Sequence, residues 1–269
     1  MGKLIFLDVD GTLYALGQGP SPATVHALQV ARSKGHKLFL STARRVTNIP
    51  ESVNTIGFDG GIYSAGGRAI VDGEVIFSRP IPAQLVYQVT DIMRERNIHF
   101  MLEGADEIYM EATDGLSSSI SSQFVHRWEE SLRPVKRAHL PVNDPVYKIA
   151  FLTASKAQAD QLASSLQGKA HVHCFRSLFM NDPVVSGEIT DRNIHKGDAL
   201  VCICRYLGVD TRDCIAFGDS WNDAEILLSA GTGIAMGNAE EQLKKIADQV
   251  CERYDEDGIA KTLARMRLI

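Results

Sequence analysis

Two aspartates one residue apart, Asp8 and Asp10, close the apolar run Leu4-Ile5-Phe6-Leu7 and are followed at once by Gly11-Thr12-Leu13. Strand side chains alternate between faces, so a chain that stays extended turns both carboxylates the same way, with Val9 opposite. Carboxylates that close repel one another unless a cation or a shared proton relieves them. The chemistry on offer is divalent-metal binding, nucleophilic attack, or both. Three other places carry comparable potential. Thr42 and Arg44 lie in Ser41-Thr42-Ala43-Arg44, where a hydroxyl beside loop N–H groups suits a phosphate oxygen. Lys196 would bring positive charge to an anionic substrate and to a nucleophilic carboxylate. Asp219 and Asp223, four residues apart behind Gly218, offer hard oxygens that suit Mg²⁺ better than zinc. Each string also has an ordinary reading: a solvated turn, a strand-to-helix cap, a surface lysine, a pair of helix caps.

These residues need strands that end where they stand. After the first apolar run, Ser21-Pro22 reads as an N-cap with proline at the first helical position, and Gly35 as the stop. Lys37 to Ser41 is a short buried strand, so strand, helix and strand form a right-handed βαβ unit. Gly60 to Ser64 reads as a third strand. Arg68 to Phe77 reads as an antiparallel hairpin turning on Asp72-Gly73, at the sheet edge. From Pro82 to Gly187 the pattern changes. It predicts helices over Pro82–Arg96, Ser118–Ser131 and Lys156–Leu166. Strands are predicted over Ile98–Leu102, Glu107–Glu111, Val146–Thr153, His171–Phe175, Phe179–Asn181 and Val184–Ile189. Such mixed content is that of an inserted α+β domain. The parallel pattern resumes with a helix over Asp198–Leu207, a strand over Asp213–Phe217, a helix from Ala224, and a strand over Gly233–Met236.

Composition narrows the function classes. The chain has 269 residues, 45% of them apolar, and a formal net charge of −5. No basic stripe points to nucleic acid, and no apolar run approaches the roughly 20 residues that span a bilayer. The first strand begins at Lys3, which leaves no room for a signal peptide ahead of it. The five cysteines form no Cys-x-x-Cys pair, and Cys202 and Cys204 read as small core hydrophobes. The expectation is a reduced, cytoplasmic protein. Nothing in the sequence speaks to its oligomeric state.

The string from Leu4 to Leu13 resembles the first motif of the haloacid dehalogenase (HAD) superfamily, a hydrophobic strand followed by Asp-x-Asp-Gly-Thr-Leu. Ser41-Thr42-Ala43-Arg44 resembles its second motif in the Ala-Thr-Gly-Arg variant of the Cof-type branch (subfamily IIB), with Ala43 in the place of glycine. Lys196-Gly197-Asp198-Ala199-Leu200 resembles the third, and Gly218-Asp219-Ser220-Trp221-Asn222-Asp223 the fourth. Ala235-Met236-Gly237-Asn238-Ala239 and Asp255-Glu256-Asp257-Gly258 also resemble that branch. One departure is Ser64-Ala65-Gly66-Gly67, where Cof-type proteins commonly carry Asn-Gly-Ala.

The resemblance implies an α/β fold, a Rossmann-like parallel-sheet core over residues 1–81 and 188–269 with an inserted α+β cap of type C2B over 82–187. It implies a Mg²⁺-dependent phosphomonoesterase acting on a small phosphorylated metabolite such as a sugar phosphate, through an aspartyl-phosphate. Asp8 would be the nucleophile and Asp10 the general acid and base, its pKa raised by desolvation under a closed cap. Thr42 and Lys196 would hold phosphoryl oxygens, with Arg44 and Asn222 as further substrate contacts. Metal would bind Asp8, the main-chain carbonyl of Asp10, and Asp219, with Asp223 in support. The insert would act as a hinged lid that sets substrate choice. Two other functions compete. A phosphohexomutase on the same core would interconvert isomers rather than release phosphate. A non-enzymatic phosphometabolite sensor would have no need of a nucleophile plus an acid.

Overall fold

The computed structural model describes residues 2–15, 17–111, 135–138, 143–176 and 184–269. They form two compact units, one of Met1–Ser78 with Ile194–Ile269, the other of Arg79–Asn193.

The first unit is built on an eight-stranded sheet. Strand β1 (Leu4–Leu7) is buried throughout, as expected of a strand covered on both faces. It pairs in parallel with β2 (Lys37–Ser41) on one side and β12 (Cys214–Gly218) on the other. With β3 (Gly60–Tyr63), β4 (Arg68–Val71), β5 (Glu74–Ser78), β13 (Thr232–Ala235) and β14 (Gln249–Val250), the order is β14-β13-β12-β1-β2-β3-β4-β5. Strands β4 and β5 are antiparallel and form the predicted edge hairpin, with Asp72 and Gly73 at positive φ in its turn. Phe6 and Phe39 stack with centroids 5.2 Å apart in a core that takes in residues from every layer. Each such fully buried side chain stabilises the fold by about 1.5–3 kcal/mol.

Helix α1 (Pro22–Ser33) starts as the sequence predicts, with the Ser21 hydroxyl accepting from the Thr24 N–H. A short helix α2 (Glu51–Asn54) follows β2. Helix α5 (Lys196–Leu207) begins two residues earlier than expected, which makes Lys196 its first residue rather than a residue preceding it. Gly197 permits this start, because a Cβ there would run into the Ser229 hydroxyl and the Glu225 carbonyl. Helices α6 (Ala224–Ser229), α7 (Glu241–Lys244) and α8 (Gly258–Arg265) complete the unit.

The second unit carries the sheet β10-β11-β9-β6-β7-β8, antiparallel except for β7 with β8. Its strands are β6 (His99–Glu103), β7 (Ile108–Glu111), β8 (Val135–Ala138), β9 (Lys148–Thr153), β10 (Ala170–Arg176) and β11 (Val185–Asp191). Helix α3 (Ala83–Glu95) buries Val86, Val89, Thr90 and Met93, one helical stripe. With α4 (Lys156–Ser165) it covers the sheet face that presents Phe100, Leu102, Ile149 and Phe151. Alternate residues turn Glu103, Lys148 and Glu188 to the other face. The unit runs past the expected boundary at 187, because Glu188 and Ile189 pair with Ala150 and Ile149. The helix predicted over Ser118–Ser131 and the strand over Phe179–Asn181 lie outside the described residues. Among the described residues no helix is long and apolar enough to cross a membrane.

Candidate active site

The chemistry-bearing residues converge at the carboxyl ends of β1, β2 and β12, where ligands bind in open parallel sheets. Asp8 follows β1 and is 5% exposed. Lys196, 1% exposed, reaches it from the start of α5. Its Nζ donates to Asp8 Oδ1 at 2.8 Å, Asp223 Oδ1 at 2.6 Å and the main-chain oxygen of Ser41 at 3.0 Å. The other oxygen of Asp223 accepts from the N–H groups of Asp219 and Ser220. Gly218 makes that turn possible, since a Cβ there would strike the Asp223 carboxylate.

Asp8, Asp219 and Asp223 each bring a carboxylate oxygen within 4.8 Å of the others. Burial foremost, then the Asp223 and Asp219 charges, push Asp8 well above the usual carboxylate range, against the pull of Lys196. Burial also raises Asp219, to about 7, with Asp223 adding to the effect. Three carboxylates against one ammonium leave an excess of negative charge. Oδ1 of Asp219 is buried without a hydrogen-bond partner, and hard oxygen donors in this number fit a divalent cation such as Mg²⁺. Gly11, at φ +85°, keeps the space beside Asp219 open, because a Cβ there would overlap its carboxylate.

Asp10 does not share the surroundings of Asp8. The chain leaves the strand after Leu7 and turns, with Leu13 and Tyr14 donating back to the Val9 carbonyl. The Asp10 side chain is 56% exposed. It stands outside the three-carboxylate group and meets Arg44 instead. Arg44 Nε and Nη2 donate to its two oxygens, each at 2.7 Å. Arg44 thus faces Asp10, where the sequence reading aimed it at a substrate. Thr42 is buried beside this pair, and its hydroxyl accepts from the Arg44 N–H at 3.1 Å. Asn222 is half-buried, its Oδ1 accepting from the Ser220 hydroxyl at 2.9 Å.

Sequence reasoning missed three supports. The Ser41 carbonyl gives Lys196 its third acceptor, a main-chain role no side chain announces. Asn238 donates to the Gly11 carbonyl and accepts from the Tyr254 N–H, tying the first turn to the segment after β13. Its signal was the Gly237-Asn238 string behind an apolar strand. Ser64 and Ala65 both hold positive φ, 51° and 56°, and donate their N–H groups to the Arg44 and Thr42 carbonyls. Left-handed backbone costs a non-glycine residue roughly 1–2 kcal/mol, so these hydrogen bonds hold strain beside the site.

The family model for haloacid dehalogenase-like hydrolases matches residues 5–263. The chain is 26% identical over 272 residues to the pyridoxal phosphate phosphatase YbhA of Escherichia coli, covering 96% of each chain. It is also 26% identical over 273 residues to the putative phosphatase YkrA of Bacillus subtilis, covering 99% of this chain and 98% of that one. Among solved structures, the HAD subclass IIB sugar phosphatase BT4131 superposes with a TM-score of 0.79 at 24% identity, over 99% of this chain and 100% of the other. With four motifs gathered at one end of a parallel sheet and a family match along nearly its whole length, the chain belongs to the haloacid dehalogenase-like hydrolases, as a Cof-type phosphatase.

Proposed function

We propose that this protein is a Mg²⁺-dependent phosphomonoesterase that hydrolyses a small phosphorylated metabolite by way of an aspartyl-phosphate on Asp8. The observation that carries the reading is the buried Lys196 ammonium, hydrogen-bonded at once to Asp8 and Asp223 with Asp219 alongside. Phosphoryl transfer depends chiefly on positioning and on neutralising spread negative charge. Mg²⁺, held by Asp8, Asp219 and the Asp10 carbonyl with Asp223 in support, would supply positive charge to the phosphoryl oxygens. Lys196 keeps one Asp8 oxygen fixed and leaves the other to attack phosphorus. The bond to the leaving oxygen breaks, and that oxygen takes a proton from the Asp10 carboxyl. The Asp10 carboxylate then takes a proton from water, which attacks the same phosphorus and frees Asp8 and inorganic phosphate. Thr42 holds a phosphoryl oxygen, the Lys196 ammonium supplies positive charge to the phosphoryl group, and Asn222 is a further substrate contact.

The substrate class in this reading is a monophosphate of sugar or vitamin size, the kind of compound named for the relatives above. The unit Arg79–Asn193 acts as the cap that selects the leaving group, and the first unit does the chemistry. Five free cysteines accord with a cytoplasmic setting. A panel of sugar phosphates and pyridoxal phosphate, assayed with Mg²⁺ for free phosphate, tests the reaction and ranks substrates. Acid quenching during turnover, followed by mass spectrometry, should find the phosphoryl group on the peptide that contains Asp8. Turnover with the label on another residue, or with none trapped under any condition that slows hydrolysis, would defeat the covalent route. Exchanging the inserted unit for that of a relative should move the substrate ranking toward the donor. A folded chimera with the original ranking would return selectivity to the first unit.

A further inference from the structure

We infer that Arg44 is a positioning residue for Asp10: its guanidinium fixes the orientation of the carboxylate that exchanges protons with the leaving group and the attacking water. The inference rests on the acid and base role proposed above for Asp10. An aspartate side chain more than half exposed, on a turn, has several rotamers open to it. Here both of its oxygens accept from one planar guanidinium, through Nε and Nη2, at 2.7 Å each. Two parallel charge-assisted hydrogen bonds fix the plane of a carboxylate as well as its place. Each oxygen accepts one hydrogen bond from Arg44 and retains a lone pair for a proton or a water.

The fork is itself held on three sides. Nη1 donates to the Asn48 carbonyl at 2.9 Å, and the guanidinium carbon lies 5.5 Å from the centroid of the Tyr14 ring. The main chain of Arg44 is tied to the Thr42 hydroxyl through its N–H and to Ser64 through its carbonyl. A surface arginine has no need of so many restraints, and one that reaches for substrate would point its donors into open space. These donors point at Asp10. Tyr14 closes the arrangement, since its main-chain oxygen accepts from the Gly11 N–H in the same turn that carries Asp10. Carboxylate and guanidinium are therefore braced against each other by two separate segments, and the proton-transfer atoms inherit that geometry.

Phenyl phosphate and p-nitrophenyl phosphate separate a positioning role from the others, since they have similar shapes and leaving groups of different basicity. Phosphorylation of the enzyme is measured in single turnovers with Mg²⁺ for the wild type, Arg44→Ala, Arg44→Lys, Asp10→Ala and the double variant Arg44→Ala/Asp10→Ala. A group displaced by about 1 Å costs on the order of 10²-fold. Arg44→Ala is expected to slow phenyl phosphate by about 10- to 100-fold, p-nitrophenyl phosphate much less, with KM unchanged for both. Arg44→Lys keeps the charge but cannot span both oxygens, and should behave like Arg44→Ala even if that variant folds poorly. On the Asp10→Ala background, loss of Arg44 should add nothing. A rise in KM for both substrates with kcat kept would make Arg44 a substrate contact and overturn the inference. So would an equal loss for the two leaving groups, or losses that multiply in the double variant. Should Asp10→Ala alone slow both substrates equally, the acid role of Asp10 fails first and takes the inference with it.

Discussion

Lys196 in the first unit and Lys148 in the second are both buried, and each is held between two carboxylates. Lys148 meets Glu188 at 2.5 Å and Glu103 at 3.4 Å, as Lys196 meets Asp223 and Asp8. Burial opposes the charge on each lysine, yet the paired carboxylates outweigh it and hold both above the usual lysine range. The settings differ. Glu103 is the register partner of Lys148 on the neighbouring strand, and Glu188 lies diagonally across from it, so the cluster sits within a hydrogen-bonded sheet. The Lys196 cluster is assembled from three chain segments, two just beyond strand ends and one at a helix start, with the third carboxylate of Asp219 beside it. Equal charge pairing thus serves two ends. Inside the sheet it joins neighbouring strands, and in the Lys196 cluster the surplus carboxylates are the ones to which the proposed reaction assigns a cation and an attack.

That contrast breaks most visibly at Asp8. Asp8→Asn keeps the shape and loses the proposed nucleophile, so phosphate release should fall by about 10⁶-fold, the scale seen on removing a nucleophile from a covalent enzyme, while thermal unfolding shows an intact fold. Near-normal release by the folded variant would end the distinction. Lys148→Met should do the reverse. Removing one partner of a buried ion pair costs about 3–5 kcal/mol, read as lower stability in denaturant, with kcat for p-nitrophenyl phosphate in the folded fraction little changed. Replacing Glu103 and Glu188 with glutamine as well should recover most of the loss. If Lys148→Met instead stopped turnover at full stability, the second cluster would be part of the chemistry.

Lys196→Met should lower turnover by about 10²–10³-fold, as when other preorganised electrostatic contacts are deleted. Mg²⁺ should restore the stability of this variant without restoring its rate. The smallest effect concerns pH. Asp219 is raised from about 3.8 when unfolded to about 7 when folded, so the native state binds more protons between those values. Stability of the metal-free protein should therefore fall as pH rises from 4 to 7. Melting temperatures measured in chelator at pH 5 and pH 8 should show that fall, and excess Mg²⁺ should flatten it. A chelator-treated protein more stable at pH 8 than at pH 5 would argue that Asp219 is not the strained carboxylate.

The first cluster was legible in the sequence and the second was not, for a physical reason. Asp8, Asp219 and Asp223 stand just behind apolar runs that can only be buried strands, and Lys196 stands at a helix start, so type and place were read together. Lys148, Glu103 and Glu188 are brought together by antiparallel register over 40 or more residues, which no local pattern encodes. The Asp10–Arg44 pair fell between these cases. Alternation predicts that Asp8 and Asp10 look the same way, but the chain turns after Leu7 and separates them. Strands β8 and β14 were missed as well, being four and two residues long and held by their neighbours rather than by any pattern of their own.

Strand β1 lies between β2, a short distance along the chain, and β12, which pairs Leu4 with Cys214. A ribosome emits the strands in a different order from the one in which the sheet needs them. Until residues 214–218 emerge, one flank of Leu4-Ile5-Phe6-Leu7 has no neighbour, and an unpaired apolar edge is a template for sticking to other chains. The second unit, with a core of its own, is synthesised during that wait, while the first must hold its half-sheet open. Late pairing of distant strands is slow, so the nascent chain is most exposed to aggregation after the second unit is finished and before β12 is made. A chain cut short in that interval would carry every residue of the second unit, the proposed nucleophile and, once past residue 196, the lysine that fixes it, yet not the strand that shields it.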